Sequence, residues 1–323
     1  MRLDCFITQK YTHITRQKAA ELIKQAQVSV NGKTILKSAF NVNDTDSIEI
    51  KQDFFIESEI FCSRAALKLQ RFLHNTESQA YQYVFYESSL LRENNTFLSY
   101  LTQCRDIEQW QKAHDSIKAH NVESSLKTYI TTSLKAILPL LIKDSVILDV
   151  GASAGGFSQV LLTYKPKLIV AQDIGTLQLD SNLSKRDEIV SIENVDIRIF
   201  SQDFHIYKEK ILAHIKDSKN DVLQENMFDF LVCDVSFISL ELILQSLLNL
   251  SKTMLLLYKP QYEVGIQAKR NKKGVIKDKK ITLQCLESFL ALLKAKNARY
   301  IFAEKSLLAG KEGNEEFFIF CQF

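Results

Sequence analysis

Apolar residues recur along this chain with two different periods, and the change of period divides it. Over residues 15–26 (Thr-Arg-Gln-Lys-Ala-Ala-Glu-Leu-Ile-Lys-Gln-Ala), Ala19, Leu22, Ile23 and Ala26 share one helical face. Thr15 suits the N-cap, and Arg16, Lys18 and Lys24 stay on the polar side. Val28-Ser-Val30 then alternates as a strand, Asn31-Gly32 signals a tight hairpin, and residues 47–50 read as a further strand. Later the pattern changes to continuous apolar runs at 146–150, 168–173, 228–235 and 254–258. Amphipathic stretches near 156–164, 239–250 and 281–294 separate them. Unalternating strands interleaved with helices predict a mostly parallel sheet covered on both faces. Residues 317–323 read as a last strand, at or near an antiparallel hairpin.

Between Leu69 and Lys143 lies a segment of neither kind. It is polar and aromatic (Tyr81, Tyr83, Phe85, Tyr86, Phe97, Tyr100, Trp110) and ends in apolar helix; its aromatic content predicts order. A length of 323 residues favours two domains, and 46% hydrophobic with 24% charged residues describes an ordinary soluble globular protein. A net charge of +3 is too small to announce a polyanionic partner, so any basic footprint is local. The six cysteines (5, 62, 104, 233, 285, 321) form no C-x-x-C pair. That spacing argues against a disulfide framework or a zinc site and suits a reducing cytoplasm. No metal is expected. The N-terminus has no long apolar run, and no stretch reaches the ~18 uncharged apolar residues of a membrane span. The best candidate, 134–142, contains Lys135 and Pro139. The expectation is a cytoplasmic protein without membrane residence.

The chemistry begins at Asp149-Val-Gly-Ala-Ser-Ala-Gly-Gly-Phe157. A strand ending in an acid and a glycine turn lets backbone approach a ligand at a helix N-terminus. The spacing is not G-x-G-x-x-G and no Lys-Ser/Thr follows, so a ligand with a ribose but no pyrophosphate fits better. Asp173, at the end of the next strand, can accept both ribose hydroxyls. Together these describe an S-adenosylmethionine site formed by Asp149, Gly151, Ser153, Gly155, Gly156, Phe157 and Asp173; the bland alternative is a tight turn in a sheet protein. Four ionisable residues also stand out: Lys68 in Ser-Arg-Ala-Ala-Leu-Lys-Leu, Asp234 in Asp-Val-Ser-Phe-Ile-Ser-Leu, Lys259 in Tyr-Lys-Pro-Gln-Tyr-Glu, and Glu316 in Gly-Lys-Glu-Gly-Asn-Glu-Glu-Phe. Singly, each is more often a surface charge. No Pro-Cys nucleophile or Asn-Pro-Pro-aromatic string points to methylation of a base. The basic stretch 269–280, around Gly274, reads equally as an RNA contact or a solvated loop.

Two resemblances join these residues. R-L-D at 2–4, T-R-x-x-A-x-x-L-I at 15–23, V-x-V-N-G at 28–32 and D-x-I-E at 46–49 resemble the RNA-binding domain first named from a small-subunit ribosomal protein. That resemblance implies phosphate contacts from Arg2, Arg16, Lys18, Lys24 and Lys33, where the bland reading is solvated charge. The N-terminal unit, residues 63–69 and nearly everything from Val146 onward are similar to the TlyA family of hemolysin-named rRNA methyltransferases, related to FtsJ-type 2′-O-methyltransferases. It implies a Rossmann-like α/β methyltransferase domain at 61–323 behind a small α+β RNA-binding domain at 1–56. The implied reaction is methyl transfer from S-adenosylmethionine to a ribose 2′-hydroxyl of ribosomal RNA, at a cytidine. Lys68, Asp234, Lys259 and Glu316 match the family's catalytic tetrad, with Glu316 chosen over Glu312 and Glu315 by aligning Glu-Gly-Asn-x-Glu. Asp196, in Glu-Asn-Val-Asp-Ile-Arg, matches a position near the adenine.

Two lysines close together depress each other's pKa, so one is expected to be neutral and accept the hydroxyl proton. Lys259 is the expected acceptor, with Asp234 and Glu316 holding the lysine heads and Lys68 tuning the field. The chain departs from the family pattern in two places. Lys68 and Asp149 lie 81 positions apart (149 − 68) where the family has roughly twenty, which implies an insertion at about 73–132 and makes Lys127 a rival to Lys68. Gly-Lys-Glu-Gly at 310–313 replaces the usual Gly-Pro-Glu-Gly. The short ends resemble the family form associated with the large subunit; oligomeric state is not legible. Two other classes compete: an RNA-binding ribosome-assembly factor without catalysis, and a pore-forming cytolysin, for which liposome leakage is the test.

Overall fold

The computed structural model describes residues 1–11, 15–24, 26–50, 55–56, 59–74, 82–86, 134–135, 137–215, 228–265 and 268–323. Helices α1 (Leu3–Lys10) and α2 (Arg16–Lys24) precede strands β1 (Val28–Val30), β2 (Lys33–Thr34) and β3 (Ile48–Ile50). The strands form an antiparallel sheet in the order β2-β1-β3. Asn31 (φ 49°) and Gly32 (φ 76°) make the turn between β1 and β2, both in the positive region a two-residue hairpin favours. Leu3, Ile7, Leu22, Ile23, Val30 and Ile50 are among the residues of a separate core. A short ladder, β4 (Phe55–Ile56) with β5 (Glu59–Ile60), follows.

The large sheet contains β6 (Gln82–Tyr86), β7 (Val146–Val150), β8 (Leu168–Gln172), β9 (Ile189–Ile192), β10 (Phe230–Cys233), β11 (Thr253–Tyr258), β12 (Tyr300–Lys305) and β13 (Phe317–Gln322). Among the described residues their order is β6-β12-β13-β11-β10-β7-β8-β9. The five strands from β11 to β9 run parallel, as their unbroken apolar runs require. β13 lies antiparallel between β11 and β12, and β6 adds antiparallel to the outer side of β12.

The strands' two-residue period splits their side chains between two cores. Val146, Leu148 and Val150 join the face covered by α5 (Ile197–Gln202), α6 (Phe204–Leu212), α7 (Leu240–Leu250) and α9 (Lys279–Ala295). Ile147 joins the other face, under α3 (Arg64–His74), helical residues near 134–142, and α4 (Gly156–Leu162). A further short helix, α8 (Pro260–Glu263), follows β11.

The apolar run 228–235 forms a strand only over Phe230–Cys233, because the chain leaves the sheet at Asp234. Of the expected insertion, Leu73, His74 and β6 are described; Lys127, Tyr81, Phe97, Tyr100 and Trp110 lie outside the described residues. No helix among the described residues is long and apolar enough to cross a membrane, and no His/Cys/Asp/Glu group among them has metal-holding geometry.

Candidate active site

After β7 the chain proceeds to β8 and β9 on one side, then returns to β10 on the other, so connections diverge between β7 and β10. Open α/β sheets bind ligands at such a point, beyond the carboxyl ends of the strands. A cavity of about 610 Å³ opens there. Its wall is residues 150, 151 and 153 at the end of β7 and just after it, 172–175 and 178 at the end of β8 and just after it, 196–198 after β9, and 234–238 after β10.

Four of the expected cofactor residues, Gly151, Ser153, Asp173 and Asp196, line this cavity; Asp149, Gly155, Gly156 and Phe157 do not. Asp149 is wholly buried, and its Oδ2 accepts hydrogen bonds from Ser158 N (3.0 Å) and Ser158 Oγ (2.6 Å), fixing the first turn of α4. Gly156 stands against α3: a Cβ there would lie 2.8 Å from Ala66 N and 2.0 Å from Ser63 Oγ, so no side chain fits. Phe157 is buried against Phe318. These four shape the turn from behind. Asp173 is expected at a ribose, yet both its oxygens already accept loop N–H groups, Ser153 N at 2.8 Å and Gly175 N at 2.6 Å. A carboxylate offers about four lone-pair sites, so two remain for hydroxyls. Asp196 caps α5 and is forked by Arg198 (2.6 and 2.9 Å); that bond holds its carboxyl below the usual range against the opposing effect of burial.

The tetrad residues come from four separate elements and meet as two ion pairs. Lys68 on α3 bonds Glu316 at 2.6 Å, and Lys259 after β11 bonds Asp234 at 2.6 Å and Ser236 Oγ at 2.9 Å. Lys68, Lys259 and Glu316 are all buried, and Asp234 reaches the cavity wall. Gln261 Nε2 donates to Glu316 at 3.4 Å. Gly310 makes room for that carboxylate, since a Cβ there would sit 2.6 Å from its Oε1.

The expectation of a depressed lysine pKa does not hold for Lys259. Burial pulls it down, but Asp234, through charge and hydrogen bond, with Glu316 and Tyr262, outweighs burial and raises it. Each lysine faces its own carboxylate, Lys259 that of Asp234 and Lys68 that of Glu316.

Several supporting residues escaped the sequence reading. Glu263 accepts Ser239 Oγ (2.5 Å) and Leu240 N (2.9 Å), anchoring the start of α7 beside the Asp234 loop. Glu193 accepts N–H groups of Leu177, Gln178 and Leu179, holding the loop that follows Asp173. Both lie inside quoted motifs, but side chains that bind loop backbone have no periodic signature. Phe237, in the Asp234 motif, is 90% exposed with φ 66°, its ring 5.4 Å from Tyr262.

In the N-terminal unit, Arg2 and Arg16 both bond the buried carboxylate of Asp4, at 2.9 and 3.1 Å. Lys24 and Lys33 are exposed on α2 and β2; the side chain of Lys18 lies outside the described set.

Residues 132–323 match the family model for the FtsJ-like methyltransferase, and residues 1–48 match the S4 domain. A 23S rRNA (cytidine-2′-O)-methyltransferase TlyA from Campylobacter jejuni is 32% identical, with 99% of this chain and 98% of that protein aligned. The chain belongs to the TlyA family. Hemolysin A of Brachyspira hyodysenteriae is 25% identical over 98% of both proteins. TlyA of Mycobacterium tuberculosis, a 16S/23S rRNA (cytidine-2′-O)-methyltransferase, is 22% identical over 99% of this chain and 89% of its own. A solved hemolysin-named structure from Streptococcus thermophilus superposes with TM-score 0.55 at 22% identity, covering all of this chain and 88% of the other; it shares the fold. A TlyA-family chain thus carries an FtsJ-like α/β domain behind an S4 domain.

Proposed function

We propose that this TlyA-family chain methylates a ribose 2′-hydroxyl of ribosomal RNA, at a cytidine, with S-adenosylmethionine as donor. Residues 61–323 act as the methyltransferase domain and 1–56 as the RNA-binding domain, in the cytoplasm. The observation that carries the reading is the pair of buried lysine–carboxylate bridges, Lys259–Asp234 and Lys68–Glu316, with Asp234 shared between its bridge and the cavity wall.

The wall suits the donor. Asp173, Asp196 and Asp234 face the cavity, and the one basic residue among the lining, Arg198, is already forked onto Asp196. An acidic wall favours a ligand bearing sulfonium and ammonium charges and disfavours a pyrophosphate. A volume of about 610 Å³ lies within the ordinary range for such ligands. Asp173 would hold the ribose, Asp196 the adenine edge, and Gly151 with Ser153 the backbone side. When bound, the donor supplies an electrophilic methyl group on positively charged sulfur.

The protein's task is to orient the hydroxyl and receive its proton. Lys259 is an ammonium in the free protein, so it first orients, and accepts a proton at Nζ only once its own has left. Asp234 governs that step, because anything that draws the carboxylate toward the cavity loosens its hold on Lys259. Glu316 holds the Lys68 head in place.

The test is transfer of labelled methyl to unmodified rRNA, free and in subunits, by wild type and Lys259→Ala. Label in the ribose with wild type, and at least a hundredfold less with the variant, is expected, on the scale of general acid–base contributions (~10²–10⁴). Donor binding without transfer to any subunit would instead favour a non-catalytic assembly factor.

A further inference from the structure

Between α8 and α9 the chain makes a tight antiparallel turn. Arg270 bridges Ile276, Asn271 N donates to Val275 O at 2.9 Å, and Lys277 N donates to Lys269 O at 3.2 Å. Inside it, Asn271 Oδ1 accepts Lys273 N (2.8 Å) and Val275 N (3.0 Å). Residues 269–277 contain Lys269, Lys272, Lys273 and Lys277, together with Arg270, and no acid. The four lysines are exposed and form no ion pair among the described residues. Arg270 is not part of that free charge, because it donates to Gln261 O (3.2 Å) and Gly265 O (2.9 Å).

A solvated lysine loop needs no fixed position, but this one is braced from two sides. Arg270 ties it to the segment that begins with Lys259 and Pro260. Asn314 ties it to the segment that ends in Glu316: its Oδ1 accepts Ile276 N at 3.0 Å and its Nδ2 donates to Gly274 O at 3.4 Å. Asn314 is 6% exposed, so both polar ends of a buried amide are committed to this turn. A lost bond there would leave a buried polar group unsatisfied, which is why the arrangement resists drift. The turn therefore hangs between the two chain segments that supply Lys259 and Glu316.

We infer that the turn 269–277 is a contact site for the sugar–phosphate backbone of the RNA beside the target nucleotide, with Asn314 a positioning residue that sets the turn relative to Glu316. The inference rests on the reading that RNA is the substrate. Four unpaired ammonium groups match a phosphate chain, which is recognised by charge alone. An acidic protein partner would need an apolar anchor among them, and the turn's apolar residues, Val275 and Ile276, are partly buried.

The full-length protein tests this with an unmodified rRNA transcript, comparing wild type with the triple variant Lys272→Ala/Lys273→Ala/Lys277→Ala. Filter binding across salt concentrations gives the slope of log K against log salt, and methyl transfer gives KM for RNA. Each lost phosphate contact lowers the slope by roughly 0.7–0.9. A fall of about 2 with a several-fold rise in KM for RNA is expected, with donor affinity as in wild type. An unchanged slope and KM overturns the contact. So does polyglutamate that displaces RNA as effectively as heparin from wild type but not from the triple variant.

Asn314→Ala keeps every lysine, so its expected signature is a retained slope with kcat falling more than KM changes. Asn314→Asp retains the acceptor for Ile276 N and should recover part of kcat; the same loss in both variants, or none, removes Asn314 from the inference. A wild type whose slope exceeds the variant's but which methylates no rRNA would leave the contact standing and sink the proposed reaction.

Discussion

Asp149 is a carboxylic acid inside a strand whose other residues are aliphatic. Ser158 satisfies one oxygen, and Oδ1 has no hydrogen-bond partner among the described residues. Burial pushes the group up to about 7, with the charges of Asp234 and Asp173 adding and the bonds from Ser158 opposing. An unfolded aspartate titrates near ~3.9, so between that value and about 7 the native state binds the extra proton. Stability from this group is therefore full below the unfolded pKa and is lost as pH rises toward the folded one. Asp149→Asn cannot ionise. Relative to wild type it is expected to gain about 2 to 3 kcal/mol between about pH 5 and about pH 8, measured by urea unfolding. Identical pH dependence in both proteins would show that Asp149 is not held neutral. The pKa of Lys259 is raised as well, but in a lysine that keeps the group charged. If its neutral amine takes the hydroxyl proton, methyl transfer should climb with pH to about 9.5 without a plateau, below the ordinary lysine range near ~10.4. A profile that is flat above about pH 7 would leave Lys259 an orienting role alone.

α3 and α4 meet where Gly156 allows their backbones to touch, and α3 carries Lys68. Gly156→Ala would drive a Cβ to 2.8 Å from Ala66 N, a backbone atom that cannot swing aside. The expected cost is about 1–3 kcal/mol of stability, as for other overpacked sites. Displacement of α3 should also lower kcat while donor affinity stays near wild type; loss of donor affinity alone would place Gly156 at the cavity instead. A second join is the buried pair of Lys135 and Glu304, at 2.8 Å, with Lys135 5.0 Å from the centre of the Phe72 ring. Lys135→Met removes the cation from a buried ion pair and is expected to cost about 3–5 kcal/mol, whereas Lys135→Met with Glu304→Leu should recover part of it. Thermal unfolding of the single and double variants decides this. The same pair explains part of what the sequence concealed. β7 announced itself because its apolar run is framed by an acid and a glycine turn, but β12 carries Glu304 inside its run and reads as interrupted until Lys135 is found 169 positions away. β9 has only four residues, and β6 lies in a segment whose composition matched neither module. α3 was visible as a motif and not as an element, because its buried Lys68 breaks the apolar face unless Glu316 is known to meet it.

At the scale of the whole molecule, a net charge of +3 averages over regions of opposite sign. The cavity wall carries three carboxylates, while basic groups gather on the turn at 269–277 and in the S4 unit. The order of the modules could be read from the chain, because the change from alternating to continuous apolar runs marks where a small sheet gives way to a parallel one. The use of charge could not, since Arg2, Arg16 and Arg270 look alike in sequence, yet Arg270 is consumed in bracing a loop. Arg2 and Arg16 differ again: both rest on Asp4, which is 2% exposed, while their side chains remain 44% and 57% exposed. The bond from Arg2, aided by Arg16 and opposed by burial, holds Asp4 well below the usual carboxylate range, so it is charged throughout the working pH range. One buried charge thus fixes two guanidinium groups that keep outward N–H donors, an arrangement suited to phosphate. Asp4→Asn separates two physical accounts of RNA binding. If attraction is set by net charge, removing a carboxylate makes the surface more positive and binding should tighten. If it is set by prearranged geometry, the variant must order two freed arginines, and affinity should fall by about tenfold. The second outcome is expected, in filter binding to an unmodified rRNA transcript. Lys24→Ala serves as the control for simple charge loss, and unchanged donor affinity shows that the methyltransferase domain is intact. Tighter binding by Asp4→Asn would mean that the S4 unit attracts RNA by its field alone, and that the arginine pair is held for the stability of the fold.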